Sequence, residues 1–146
     1  MATLFSHPIS ARNQISGKVA EINSGSTMTL VTVSAHGHRF VAAMTNEEAM
    51  ELGVKTHDSV LALIESTQTM LVKGDATHLQ ISACNRLVGH VSHLRKDYAT
   101  GSVTVTTESG KVTATISREG LEDMEIQDGE QVTALFKATD VRLQKF

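Results

Sequence analysis

Tryptophan is absent, tyrosine occurs once at position 98, and the four phenylalanines, Phe5, Phe40, Phe136 and Phe146, are scattered. A single-stranded nucleic-acid groove needs aromatic platforms for the bases and a basic surface for the phosphates. With 3% aromatics and a net charge of −3, this chain offers neither. One cysteine, Cys84, excludes an internal disulfide framework, and one proline leaves the elements largely uninterrupted. No apolar run approaches the roughly 18 residues of a membrane helix. The start MATLFSHP has neither a basic nor an apolar leader pattern, so a cytoplasmic protein without membrane contact is expected.

What the sequence does contain is a duplication. A shift of 72 positions lays ISARNQISGKV (9–19) on ISACNRLVGHV (81–91), and the match continues without a gap. VLALIEST (60–67) falls on VTALFKAT (132–139), and Leu71 and Lys73 fall on Leu143 and Lys145. The expected organisation is a first unit over 9–73, a linker over 74–80 and a second unit over 81–146.

In the first unit, apolar residues alternate with polar ones around Ile15 to Val19, Leu30 to Val33, 38–44, 59–65 and 69–72, which reads as five strands. Between the third and fourth, TNEEAMELG carries a capping box, Thr45 with Glu48, and a terminating Gly53. In the second unit Ser117 replaces the cap and Gly120 stands where Glu48 was, so a shorter or looser helix is expected. The fold class is therefore mainly β: two tandem small barrels of the OB type, each of five strands and one short helix. Units of about 65 residues bury little surface, which favours docking of the two and association between chains.

The opening run Ser10-Ala11-Arg12-Asn13 gathers hydroxyl, guanidinium and amide donors, and Lys137-Ala138-Thr139 adds an ammonium and a hydroxyl. Converging donors without a carboxylate suit a small anion, with the amides of Ala11 and Ala138 completing a cage. Each residue also has a structural reading. Ser10 and Asn13 suit a turn at the start of a strand, as does Asn85 in the second unit, and Thr67 and Thr139 suit local backbone bonds. Ser66, Thr67, Ser82 and Asn85, at the matching places of the two units, are further candidates to bind the same anion. Gly17 and Gly89 suit close backbone approach. For a metal cation the signal is weak: AHGH at 35–38 reads as a hairpin turn, and His90 and His93 would face opposite sides of a strand. Cys84 has no base arranged near it in the sequence and occupies the place of Arg12, so no catalysis is expected.

SARNQ at the start of a β unit, TNE before the helix, and ALIEST or ALFKAT before the last strand resemble the molbindin family of molybdate-binding (Mop) domains. The resemblance covers nearly the whole chain and is to the two-domain form. It implies an OB-like fold, a cytoplasmic homotrimer, molybdate or tungstate as ligand at interfaces between domains, and no organic cofactor. Molybdenum enters as an oxyanion, so no metal-ligating side chains are expected. Each unit departs from the pattern once: Glu65 stands where lysine is usual, and Cys84 stands where arginine is usual. Storage or homeostasis is the expected role. The alternative is a molybdate-sensing module acting through a partner protein, for no helix-turn-helix precedes Ile9 and no phosphate-binding loop appears; an OB-fold nucleic-acid binder is a further, disfavoured reading.

Overall fold

The computed structural model describes residues 13–146. Among these residues ten strands form two five-stranded antiparallel sheets. The first repeat gives β1 (Asn13–Ser24), β2 (Met28–Ala35), β3 (His38–Thr45), α1 (Asn46–Leu52), β4 (Ser59–Ile64) and β5 (Met70–Lys73). The second gives β6 (Asn85–Lys96), β7 (Thr100–Thr107), β8 (Gly110–Ser117), α2 (Arg118–Met124), β9 (Gln131–Phe136) and β10 (Arg142–Lys145). One sheet has the order β10-β4-β1-β2-β3 and the other β5-β9-β6-β7-β8. The fifth strand of each repeat thus belongs to the sheet of the other. Arg142 stands opposite Leu63 and Met70 opposite Leu135, so the chain crosses between the sheets twice.

Each sheet curls into an OB-like barrel whose last-joined strand approaches the far edge, β10 toward β3 and β5 toward β8. Period-two burial builds the interiors. Val31, Val33, Phe40, Ala42, Val60 and Ile64 fill one, and Leu87, Val103, Val105, Ala114, Val132 and Phe136 fill the other. The two interiors form one continuous cluster, and the Phe40 and Phe136 rings meet edge to face at 6.4 Å between centroids.

Local chemistry explains the connections. The β2–β3 hairpin turns on His36 and Gly37, at φ of 49° and 82°, the left-handed pair that a two-residue hairpin requires. The capping box of α1 is formed: the Thr45 hydroxyl accepts from Glu48 N at 3.1 Å and Glu48 Oε1 accepts from Thr45 N at 3.0 Å. That backbone bond, with the Thr45 hydroxyl, holds the Glu48 carboxyl below the usual range. Gly53 ends the helix at φ 64°.

Two expectations are corrected. First, α2 is seven residues long, the same as α1. Ser117 Oγ caps Gly120 N at 3.0 Å, and Leu121 is buried against Gly101, so a cap and packing override the glycine's propensity. Second, His90 and His93 both lie on the outer, exposed side of β6, because a bulge between Val91 and His93 shifts the alternation by one residue.

Gly17 serves close approach. An added Cβ there would lie 2.6 Å from both Ser34 O and Val33 Cγ1, and one at Gly89 would meet Thr106 O and Val105 Cγ1. Gly17→Ala is expected to lower the unfolding free energy by about 2–3 kcal/mol through overpacking against backbone, read as a lower midpoint in urea at an unchanged slope.

Candidate functional site

The repeat places two equivalent corners in the molecule. At the first, β1 begins at Asn13 opposite Ile64, the last residue of β4, and Glu65 leads into a 3-10 turn at Ser66–Gln68. At the second, β6 begins at Asn85 opposite Phe136, the last residue of β9, and Lys137 leads into a 3-10 turn at Ala138–Asp140. The strand exchange lays each turn on the other repeat: Ser66–Gln68 packs on β8, and Ala138–Asp140 packs on β3.

Ser10, Ala11 and Arg12 lie outside the described residues. Asn13 is 2% exposed, and its side-chain amide is spent on the other repeat. Its Oδ1 accepts from Thr113 N at 2.7 Å, while Nδ2 donates to Thr113 O at 2.8 Å and to Thr69 Oγ1 at 3.4 Å. Asn85 does the same: Oδ1 accepts from Val41 N at 2.7 Å, and Nδ2 donates to Val41 O at 2.9 Å. Each asparagine presents itself to the facing strand as a peptide group would, one donor and one acceptor, so the two repeats are clasped at both corners. These side-chain bonds fix the backbone at Asn13 and Asn85.

The later clusters remain accessible. Lys137 and Thr139 are exposed and Ala138 is half-buried. Ser66 is half-buried and accepts from Thr115 Oγ1 at 2.9 Å, and Thr67 is exposed. Thr69 Oγ1 donates to Glu65 O at 3.1 Å, pinning the first turn. The equivalents of Ser66, Thr69, Thr113 and Thr115 are Ala138, Val141, Val41 and Ala43, so the first corner is lined by hydroxyls where the second is aliphatic. Ser82 and Cys84 are exposed and Ala83 between them is buried.

Sequence reasoning did not single out Arg86 as a structural residue. Its guanidinium donates to Thr77 O at 2.8 Å, Ile81 O at 3.1 Å and Ala83 O at 3.3 Å, holding the segment that leads into Ser82–Asn85. Nor did it find Thr113 and Val41 as partners of the asparagines, for these bonds use backbone atoms and leave no mark in side-chain type. Among the described residues no group of three His, Cys, Asp or Glu is placed to hold a metal ion. A groove of about 620 Å³ beside Thr139 is lined by Glu48, Glu51 and Arg142 together with Met28, Leu52 and Leu143. Its two carboxylates disfavour a dianion there.

The TOBE domain model matches residues 9–71 and again 81–143. The chain belongs to the TOBE domain family. Its TOBE pair is 33% identical over 131 residues to the molybdenum transport protein ModE of Herbaspirillum seropedicae, covering 88% of this chain and 48% of ModE. It is 31% identical over 136 residues to the molybdenum-pterin-binding protein MopA of Rhodobacter capsulatus, covering 92% of this chain and 51% of MopA. The chain thus spans about half the length of these relatives. A single TOBE unit is 38% identical over 66 residues to molybdenum-pterin-binding protein 3 of Clostridium pasteurianum, 97% of that protein and 44% of this one. Among solved structures, the cytoplasmic molybdate-binding protein ModG with molybdate bound superposes with a TM-score of 0.88 at 26% identity, over 94% of this chain and 99% of ModG.

Proposed function

We propose that this chain is a cytoplasmic molybdate-binding protein serving storage or homeostasis of molybdenum, that tungstate is a second ligand, and that it binds without catalysis. The observation that carries this reading is the superposition of both TOBE units, in their mutual arrangement, on a molybdate-bound protein of the same extent. The chemistry supports it. Molybdate offers acceptors on every face, and Ser10, Arg12, Lys137 and Thr139 with the amides of Ala11 and Ala138 are donors only or donors by choice. Asn13 and Asn85 act here by holding the strand starts rather than by touching the ligand. The functional unit in this reading is a homotrimer: Arg12 and Lys137 belong to different repeats of the sequence, and a second copy completes a doubly cationic cage.

A second reading, a sensing module that reports through a partner protein, is favoured by one observation: ModE is about twice the length of the matched region. Native mass spectrometry with elemental analysis, after equilibration in molybdate, tungstate or sulfate, tests the first reading. A trimer retaining molybdenum and tungsten but not sulfate is expected, and molybdate at 100 times its dissociation constant should add about 2.7 kcal/mol, or roughly 5–10 °C in Tm. Equal retention of sulfate would reduce the site to a general anion site. A cytosolic partner whose capture changes with molybdate would establish the sensing reading instead.

A further inference from the structure

The two repeats share one fold, so where their residues differ the barrel itself does not demand the difference. On the outer face of β2 and β3 the first repeat carries Met28, Leu30, Val41 and Ala43, with Leu30 in register opposite Ala43. Val31, Phe40 and Ala42 beside them fill the interior. The shift of 72 turns these four outer residues into Thr100, Ser102, Thr113 and Thr115 on β7 and β8, with Ser102 opposite Thr115. The solvated face of an antiparallel sheet is ordinarily polar, and the second repeat follows that rule. The first breaks it: Met28 is 39% exposed and Leu30 44%, with Val41 and Ala43 half-buried.

This patch has the anatomy of a contact surface. Asn23 stands opposite Leu30, Thr45 stands opposite Met28, and exposed Arg39 lies two residues before Val41, so polar side chains rim an apolar centre. Contiguous apolar side chains left in water are the usual mark of such a surface. The patch also runs up to the second corner. Met28 and Ala43 line one groove with Thr139 and Arg142, and the turn Ala138–Asp140, which Lys137 leads into, packs on β3. Two carboxylates on the groove wall, Glu48 and Glu51, oppose an anionic membrane surface there. A second copy suits the place better, because one exposed ammonium does not neutralise a dianion and the donors that complete the cage must come from beyond this corner.

We propose that copies of this chain associate through the outer face of β2 and β3 of the first repeat, with Leu30 at its centre, and that this contact brings a second copy to Lys137. The link to Lys137 rests on the molybdate reading above; the contact itself does not.

Sedimentation velocity on the full chain at micromolar concentration tests the contact. Leu30→Ser with Met28→Thr installs the residues that the second repeat carries as Ser102 and Thr100, so the strand is kept. The parent should sediment as an oligomer, and this variant should dissociate with a constant raised about tenfold or more while retaining the parent's circular dichroism spectrum. Leu30→Lys should do the same, and Ser102→Lys, at the equivalent place, should leave the oligomer intact. A monomeric parent with and without molybdate, an unchanged oligomer in both Leu30 variants, or equal dissociation by Ser102→Lys overturns the contact. Calorimetry then reads the link: a monomeric Leu30 variant should lose molybdate binding and recover it when its concentration is raised above its association threshold. Parent-like binding by the monomer overturns the link. A parent that associates through this face yet binds no molybdate leaves the contact standing and defeats the proposed function.

Discussion

Asn85→Ala should lower the unfolding free energy of the ligand-free protein by about 2–4 kcal/mol, because two backbone groups of Val41 lose their partner at a site largely shielded from water. Alanine removes the side-chain donor and acceptor together and leaves a small void, and the half-buried position of Val41 prevents water from replacing both bonds at full strength. Asn85→Asp separates the two bonds. The carboxylate still accepts from Val41 N but sets an oxygen against Val41 O, so it should cost as much as alanine near neutral pH and less at low pH, where a protonated oxygen can donate. Asn13→Ala should cost at least as much, since Thr113 is buried and Thr69 is also engaged. Urea denaturation without oxyanion reads these differences as midpoint shifts at constant slope. A shift below about 0.5 kcal/mol for Asn85→Ala would mean that the clasp is wet and that the repeats are joined by the strand exchange and shared core alone.

Much of this architecture was legible because its causes are local. Thr45, Glu48 and Gly53 specify α1 through bonds within one turn, and the 72-residue repeat with period-two burial locates the strands. The exchange of β5 and β10 was not legible. A four-residue strand such as MLVK carries the same alternation whichever sheet receives it, and the choice is made by long-range register, Met70 against Leu135 and Arg142 against Leu63. The β6 bulge that brings His90 and His93 to one side has no side-chain signature either. At the site, the donor types pointed to an anion, but the sequence left Asn13 and Asn85 open between ligand and structure. The structure supplies what decides their geometry: a strand from the other repeat within 2.7–2.9 Å of each amide.

The charge pattern of the two corners leads to the larger effect on binding. In register, Asn13 faces Ile64 and Asn85 faces Phe136; in sequence, Arg12 precedes Asn13 and Glu65 follows Ile64, whereas Cys84 precedes Asn85 and Lys137 follows Phe136. Neither repeat carries both cations at these positions. A dianion beside Arg12 and Glu65 meets a carboxylate, whose like-charge repulsion costs several kcal/mol, and one beside Cys84 and Lys137 has a single positive charge. Joining Arg12 of one copy to Lys137 of another gives two cations and no carboxylate, about three such sites in a symmetric trimer. The complementary pair, Cys84 with Glu65, should stay empty of oxyanion. Lys137→Glu and Arg12→Cys are each expected to weaken molybdate binding by about 100-fold or more, since each removes charge-assisted bonds worth about 1.5–3 kcal/mol apiece and Lys137→Glu adds repulsion. Glu65→Lys with Cys84→Arg should create a second class of sites and about double the stoichiometry in titration calorimetry. The decisive variant is Glu65→Lys in the Lys137→Glu background. Within a composite site the new lysine lies opposite Cys84, away from Arg12, and binding stays lost. Recovery of tight binding would place Arg12 and residue 65 around the same anion, and the site would then be built from like units.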